Sequence, residues 1–245
     1  METIFNSMFP TFFSIFCVIY IIGYFVIFRN WSQKFRPEAS SCLISLFHGS
    51  PAVILAISAL RLQPVWGFAS PNTNSENAVL EFSIAYFTMD LIHYLIFTPR
   101  EYLFIAHHLA TLFVFITCRS VALHGAFSVM VLLVFAEITS FCQNVWTLAG
   151  LRKDDSDLAK RVYWVLSPPF YALYTVMRVV AGPLFFVKMS TSLLKHEARD
   201  VMPIWISLSW IVVVGAAIMV SWLWIWNNWM EYFRERGVSK EKKEG

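Results

Sequence analysis

Charged residues are scarce in this chain, and no long polar stretch occurs. Asp, Glu, Lys and Arg make up 14% of the 245 residues, whereas hydrophobic residues make up 58%. Ordinary soluble domains contain about 25% charged and 45–50% apolar residues. The composition therefore excludes a typical soluble globular protein and indicates a polytopic membrane protein, because almost nothing remains outside the apolar runs to form a soluble domain.

Cysteine is also scarce, with four in the whole chain. All four fall within or at the ends of apolar runs: Cys17, Cys42, Cys118 and Cys142. This placement predicts small packing residues rather than a disulfide framework. The net charge is only +3, and the cations flank apolar runs, where they are attracted to anionic lipid headgroups. Nothing indicates a nucleic-acid partner.

Seven apolar runs are long enough to cross a hydrocarbon core of about 30 Å, which takes roughly 17–25 helical residues. The first run is predicted to be a retained span rather than a cleaved signal peptide, because no Lys or Arg precedes it and no small-residue cleavage site follows it. We therefore expect an all-α fold with seven transmembrane helices. They are placed near 10–28, 40–60, 78–97, 102–118, 124–149, 163–187 and 203–229.

The cations are distributed unevenly between the two sides of these spans. Most of the 19 Lys and Arg residues follow the first, third, fifth and seventh spans. Cytosolic loops carry more Lys and Arg than lumenal ones, so this bias predicts a lumenal N-terminus and a cytosolic C-terminus. The N-terminal segment with the first span is residues 1–30, and the cytosolic tail is residues 236–245. Lys242 and Lys243 in that tail resemble the dilysine retrieval signal of endoplasmic reticulum membrane proteins, which coat proteins read. The alternative is a solvated charged tail.

Two adjacent histidines, His107 and His108, lie inside the fourth apolar run. Burying an ionisable side chain in lipid costs several kcal/mol, so such residues usually face a bundle interior and serve a function. Consecutive helical residues point about 100° apart. We therefore expect one ring to face a central cavity while the other bonds a neighbouring helix.

Other ionisable residues lie at a similar depth in the neighbouring spans. With a rise of about 1.5 Å per residue, five side chains of the second, third and fourth spans lie about 7–12 Å from the cytosolic end of their helices. We call these five residues the polar layer. They are His48, Asp90, His93, His107 and His108.

Helical spacing groups further polar residues with the layer. Tyr86 lies on the same face of the third span as Asp90 and His93, and Thr111 is one turn from His107. Their simplest role is to hydrogen-bond helices together, worth about 0.6 kcal/mol each. That interpretation is favoured for Thr111, whereas a functional role is favoured for the histidine pair and Asp90, because a carboxylate that orients an imidazole raises its basicity.

The fifth and sixth spans also carry polar residues, with Asn144 at about the depth of the polar layer and with Glu137 and Arg178 deeper. Glu137 and Asn144 lie on one face of the fifth span, and a structural hydrogen bond is the favoured role of Asn144. Arg178 is expected either to neutralise Glu137 or to meet a lipid phosphate. Prolines at Pro51, at 168–169 and at 183 predict kinked helices that leave space for a cavity. The seventh span, rich in tryptophan, is expected to form a lipid-facing wall.

Several enzyme classes are excluded. Di-iron desaturases of membranes need more histidines than the six present. The H-x-x-H-H box of fatty-acid elongases is broken, because Phe104 stands where its first histidine is required. No P-loop or dinucleotide fingerprint occurs, and no recognised metal-ligand spacing is present. We therefore expect neither a metal nor a cofactor.

Short motifs in a fixed order resemble the TLC domain, which ceramide synthases share with translocating-chain-associated membrane proteins and a group of lipid-homeostasis proteins. The resemblance covers roughly residues 31–235 and implies a bundle formed by the last six spans around a cavity, with the first span outside it. The motifs are Trp31, Ser45 and His48, then Tyr86 and Asp90, then His107-His108, and finally Glu137 to Trp146.

Ceramide synthases share the pattern H-H-x-x-T, present here from His107 to Thr111. In that family the histidines are implicated in moving an acyl group from coenzyme A to a sphingoid amine. The family continues with H-D-x-x-D one helix later, whereas residues 134–140 of this chain contain no aspartate. The chain is therefore more similar to the smaller TLC-domain proteins, which carry an acidic residue and a downstream Asn in this helix.

Two hypotheses follow from the resemblance. In the first, the protein is a multi-pass protein of the endoplasmic reticulum that binds, senses or regulates membrane lipids through a cytosol-facing polar cavity. In the second, it is a lipid acyltransferase in which His107 or His108 is base or nucleophile, Asp90 orients it, and acyl-CoA is a substrate. The missing aspartates favour the first hypothesis, and the polar layer favours the second.

Overall fold

The computed structural model describes the backbone of residues 7–244 and the side chains of residues 7–235. The described part of the chain is helical throughout, apart from its loops and one isolated bridge between Pro71 and His124. Seven stretches are long and apolar enough to cross a membrane, which confirms an all-α fold with seven spans. The spans are Phe9–Ile27, Arg36–Leu62, Asn74–Phe97, Tyr102–Ala122, Ala126–Arg152, Asp157–Leu193 and Ile204–Glu235.

The described residues form ten α-helices, nine of which belong to these spans, while α9 lies between the sixth and seventh spans. Three π-helical segments, Gly23–Ile27, Cys118–Ala122 and Thr175–Ala181, extend α1, extend α4 and join α7 to α8. The α-helices are α1 Phe9–Ile22, α2 Arg36–Leu62, α3 Asn74–Phe97, α4 Tyr102–Thr117, α5 Ala126–Glu137, α6 Ser140–Arg152, α7 Asp157–Tyr174, α8 Gly182–Leu193, α9 His196–Arg199 and α10 Ile204–Glu244.

The start of α3 shows how a helix end is satisfied at the membrane boundary. Thr73 accepts a hydrogen bond from the backbone N–H of Glu76 at 3.2 Å, and the Glu76 carboxylate accepts one from the backbone N–H of Thr73 at 2.8 Å. This reciprocal capping box pairs two backbone donors that the helix itself leaves free. It fixes where α3 enters the bundle.

The centre of the bundle is α3, which packs against α1, α2 and α4. In turn α2 packs on α5 and α6, and α6 packs on α7. The polar side chains of α3 are therefore enclosed by three other helices. Since unsatisfied polar groups are costly in a lipid environment, those side chains must find partners on these neighbours.

The structure adds detail to three of the spans. The fifth span is not one helix, because α5 ends at Glu137 and α6 begins at Ser140. The prolines at 168–169 lie within α7, and the interruption of the sixth span comes later, in the π-helical segment before Gly182. In the seventh span Trp210 is buried, with 1% exposure, and donates to Thr117 at 2.9 Å, so this helix is more than a lipid-facing wall.

Candidate functional site

Asp90 is the centre of the polar layer. Asp90 is 3% exposed, and its carboxyl group makes hydrogen bonds with three side chains. Ser41 of α2 donates to Oδ1 at 2.6 Å, His108 of α4 lies 2.9 Å from Oδ2, and Tyr86 donates to Oδ2 at 3.4 Å. One carboxylate thus connects α2, α3 and α4, and its hydrogen bonds offset the cost of burying it.

His108 has both ring nitrogens occupied. Nδ1 lies 2.7 Å from the backbone carbonyl oxygen of Phe104, which can only accept, so Nδ1 carries a proton and donates it. The bond between Nε2 and Asp90 then contains one proton, held either by the imidazole or by the carboxyl group. In both forms no lone pair of His108 is free. The geometry suits a residue that holds helices in place rather than a base or nucleophile.

His48 is linked to Asp90 through Tyr86. The His48 ring, with 0% exposure, stacks on the Tyr86 ring at 4.0 Å between centroids and 8° between planes. Nε2 of His48 lies 3.1 Å from the Ser83 hydroxyl, and its Nδ1 lies 3.7 Å from a carboxylate oxygen of Glu137. The network therefore extends from α4 through α3 and α2 to the end of α5.

A glycine allows α2 to approach the break in the fifth span. A Cβ atom added at Gly49 would lie 2.5 Å from Oγ of Ser140 and 2.9 Å from Oε2 of Glu137. Contacts this short are not tolerated, so any larger residue would force the two helices apart. Gly49 thus sets the distance between His48 and Glu137.

Arg178 lies at the break in the fifth span. Its Nη2 donates to the backbone carbonyl of Ala136 at 3.2 Å, and its guanidinium lies over the Tyr174 ring at 5.4 Å. The carbonyl groups at the end of α5 lack helical partners because the helix stops in mid-span. Arg178 satisfies one of them and thereby stabilises the break.

The remaining predicted residues are distributed around this network. His93 is buried and bonds the Tyr20 hydroxyl of α1 through Nδ1 at 2.9 Å. Asn144 donates to the backbone oxygen of Ser140 at 2.8 Å within its own helix. Thr111 is half-buried one turn from His107. The side chains of Lys242 and Lys243 lie outside the described residues.

His107 differs from every other member of the polar layer, because its side chain is exposed. Its ring is nearly perpendicular to that of His108, at 88°, as adjacent helical positions require. Neither of its nitrogens has a hydrogen-bond partner among the described residues. The ring is close enough to Arg178 and Glu137 to interact with them electrostatically. Of the five residues of the polar layer, His107 is therefore the one whose ring lies at the surface of the described bundle.

Comparison with known proteins identifies the family. The family model described as TLC domain matches residues 38–230. The chain belongs to the TLC domain family. A TLC domain-containing protein of Arabidopsis thaliana is 57% identical over 233 residues, which cover 94% of this chain and 92% of the relative. No solved structure matches the chain. TLC-domain proteins are in general membrane proteins linked to lipid metabolism.

Two side chains that complete the site, Ser41 and Tyr20, were not singled out from the sequence. Ser41, Ser45 and His48 lie at i, i+4 and i+7, so all three face α3, and Ser45 bonds the Tyr86 hydroxyl at 2.7 Å. This spacing could have been used to predict a polar face on α2. Tyr20 carried no such signal, because it lies in an apolar helix before the start of the TLC domain match.

Proposed function

We propose that the protein binds membrane lipids at the exposed face of the polar layer and, through that binding, senses or regulates lipid composition. The observation that carries the proposal is the difference between the two adjacent histidines. His108 is locked by Asp90 and Phe104, whereas His107 is exposed and unpartnered among the described residues. A rigid network behind a free imidazole is an arrangement that presents the imidazole to a ligand.

The surroundings of His107 favour a lipid with a polar group. An imidazole inside a membrane span is costly unless it meets a polar partner. Arg178 and Glu137 both contribute to the electrostatic environment of His107, so a cation and an anion act on the same ring. A hydroxyl, amide or ester group of a lipid would satisfy His107, and the acyl chains would remain in apolar surroundings.

An acyltransferase is the second candidate. It is favoured by the same free nitrogens of His107, which could accept a proton from an attacking hydroxyl or amine while acyl-CoA enters from the cytosol. The position of Asp90 weakens this candidate. The carboxylate that was expected to orient the catalytic histidine bonds His108, and His107 has no such partner among the described residues.

The test compares cells that lack the protein with cells that express wild type, His107→Ala or His196→Ala. His196 is the matched control because its side chain is 90% exposed, in α9. We expect His107→Ala to fail to restore the lipid profile, whereas His196→Ala restores it. Restoration by His107→Ala to the wild-type level would contradict a role for this side chain.

Purified protein separates the two candidates. A binding protein retains lipid through purification and transfers no label from radiolabelled acyl-CoA to a lipid extract. Acyl transfer that is abolished by His107→Ala would instead establish the enzyme.

We further propose residence in the endoplasmic reticulum membrane, with a lumenal N-terminus, a cytosolic C-terminus and coat proteins that read Lys242 and Lys243. The unequal distribution of cations supports this orientation.

A further inference from the structure

A second candidate site lies away from the polar layer, in a groove between the first and fourth spans. The groove has a volume of about 550 Å³, within the range of about 300–1,000 Å³ that is usual for small-molecule sites. It lies at the membrane boundary where α1 begins and α4 ends. It is lined by Ser7, Phe9, Glu81, Ile84, Ile116, Arg119, Ser120 and Leu123.

The carboxylate in this groove is fully committed to the protein. Glu81 is buried. Its Oε1 accepts hydrogen bonds from Arg119 through Nε at 2.9 Å and Nη2 at 2.7 Å. Its Oε2 accepts the backbone N–H of Met8 at 2.6 Å and the Ser7 hydroxyl at 3.3 Å. Glu81 therefore fixes the Arg119 side chain and the start of α1, and it has little capacity left for a ligand.

Only one edge of the Arg119 guanidinium makes hydrogen bonds to described residues. The edge formed by Nε and Nη2 faces Glu81, while Nη1 has no partner among the described residues and is not enclosed. The neighbouring Ser120 is exposed and lines the same groove. Arginine is the side chain best suited to phosphate, because its planar fork matches two phosphate oxygens.

The apolar part of the groove opens sideways. Ile116 and Leu123 are 44% and 49% exposed, and they belong to the end of the fourth span, at the depth where lipid headgroups meet the hydrocarbon core. An acyl chain entering from the bilayer would lie along Ile84 and Ile116 and remain connected to a headgroup at Arg119.

We propose that this groove binds one glycerophospholipid of the adjacent leaflet, with its phosphate on Arg119 and Ser120 and an acyl chain along Ile84 and Ile116. The site is independent of His107. The lipid would brace the first span against the fourth, because the groove is bordered by the start of α1 and the end of α4.

The experiment uses the full chain in detergent micelles and native mass spectrometry. Dioleoylphosphatidylcholine is titrated against dioleoylglycerol, which has the same acyl chains without the phosphate. We expect a single phosphatidylcholine adduct that binds at least about tenfold more tightly than the glycerol lipid, as the loss of a charge-assisted hydrogen bond implies. Equal binding of the two lipids on wild type would overturn recognition of the phosphate, and this comparison needs no variant.

Two tryptophan variants locate the adduct. Ile116→Trp adds bulk to the groove lining and leaves Glu81 and Arg119 unsubstituted. Val121→Trp is the control, since Val121 is 50% exposed and is not among the residues that line the groove. Thermal melting confirms that both variants are folded. Loss of the adduct from Ile116→Trp alone supports the site. Equal retention by both variants places the lipid elsewhere and overturns the proposal.

Discussion

At the scale of single residues, Asp90 shows how a carboxylate is accommodated inside a membrane bundle. Three hydrogen-bond donors from α2, α3 and α4 surround it. A buried polar group without such partners costs about 1–3 kcal/mol, and a charged one costs more. The stability of the polar layer therefore depends on keeping each of its members paired.

We predict different effects for two substitutions of Asp90. Asp90→Ala leaves Ser41 and Nε2 of His108 without partners and should lower the free energy of unfolding by about 1–3 kcal/mol. Asp90→Asn should retain most of that stability, because its amide can donate to Nε2 of neutral His108 while its oxygen accepts from Ser41. Unfolding in mixed micelles measures both changes. Equal losses for the two variants would show that the negative charge itself is required.

Gly49 gives a second prediction at this scale. Gly49→Ala should destabilise the protein by about 1–3 kcal/mol, because the new methyl group overlaps Ser140. Gly67→Ala is the control, since its Cβ would meet nothing closer than 3.6 Å. Adding Ser140→Gly to Gly49→Ala should restore part of the loss by removing the overlapping atoms. A double variant as unstable as the single variant would contradict this explanation of the close approach.

At the scale of elements, α1 is part of the site although the family match begins at residue 38. Phe16 is 1% exposed and packs on the rings of His48 and Tyr86. Tyr20 bonds buried His93. The resemblance left the first span outside the bundle domain, whereas packing places its side chains against the polar layer, since α1 lies along α3.

We predict that Tyr20→Phe lowers the free energy of unfolding by about 0.5–1.5 kcal/mol, because Nδ1 of His93 loses its only hydrogen-bond partner among the described residues. Tyr24→Phe is the matched control. The Tyr24 ring packs against the rings of Tyr20 and Phe97, but its hydroxyl makes no hydrogen bond with a described residue. Thermal melting of both variants measures the difference. Similar melting temperatures for both would argue against a role of the Tyr20 hydroxyl.

At the scale of the whole molecule, seven spans place the two ends of the chain on opposite sides of the membrane. The excess of Lys and Arg after the odd-numbered spans predicts which side is cytosolic. The proposed retrieval signal, Lys242 and Lys243, requires this orientation, because coat proteins meet only a cytosolic tail. Retrieval through these lysines is therefore possible only if the predicted orientation is right.

We predict that replacing Lys242 and Lys243 together by serine lets the protein leave the endoplasmic reticulum. Substitution of Lys188, in α8, and of Lys195, just after it, by serine removes the same charge elsewhere in the chain and should leave the location unchanged. Fluorescence microscopy of tagged protein measures the distribution. In parallel, a C-terminal tag should be digested by protease in intact microsomes, and a protected tag would reject the predicted orientation.

The amino-acid sequence by itself determined the number of spans, their approximate bounds and the helical class, because length and apolar content decide whether a helix can cross a bilayer. It also determined that His107 and His108 point in different directions, since this follows from helical geometry alone. Only the tertiary structure decided that Asp90 bonds His108, that Tyr20 reaches His93, and that Arg178 donates to the backbone carbonyl of Ala136 at the end of α5. Those contacts join residues that are far apart in the chain. Which residues meet depends on how the helices pack and rotate against one another, and the pattern within a single helix does not specify this.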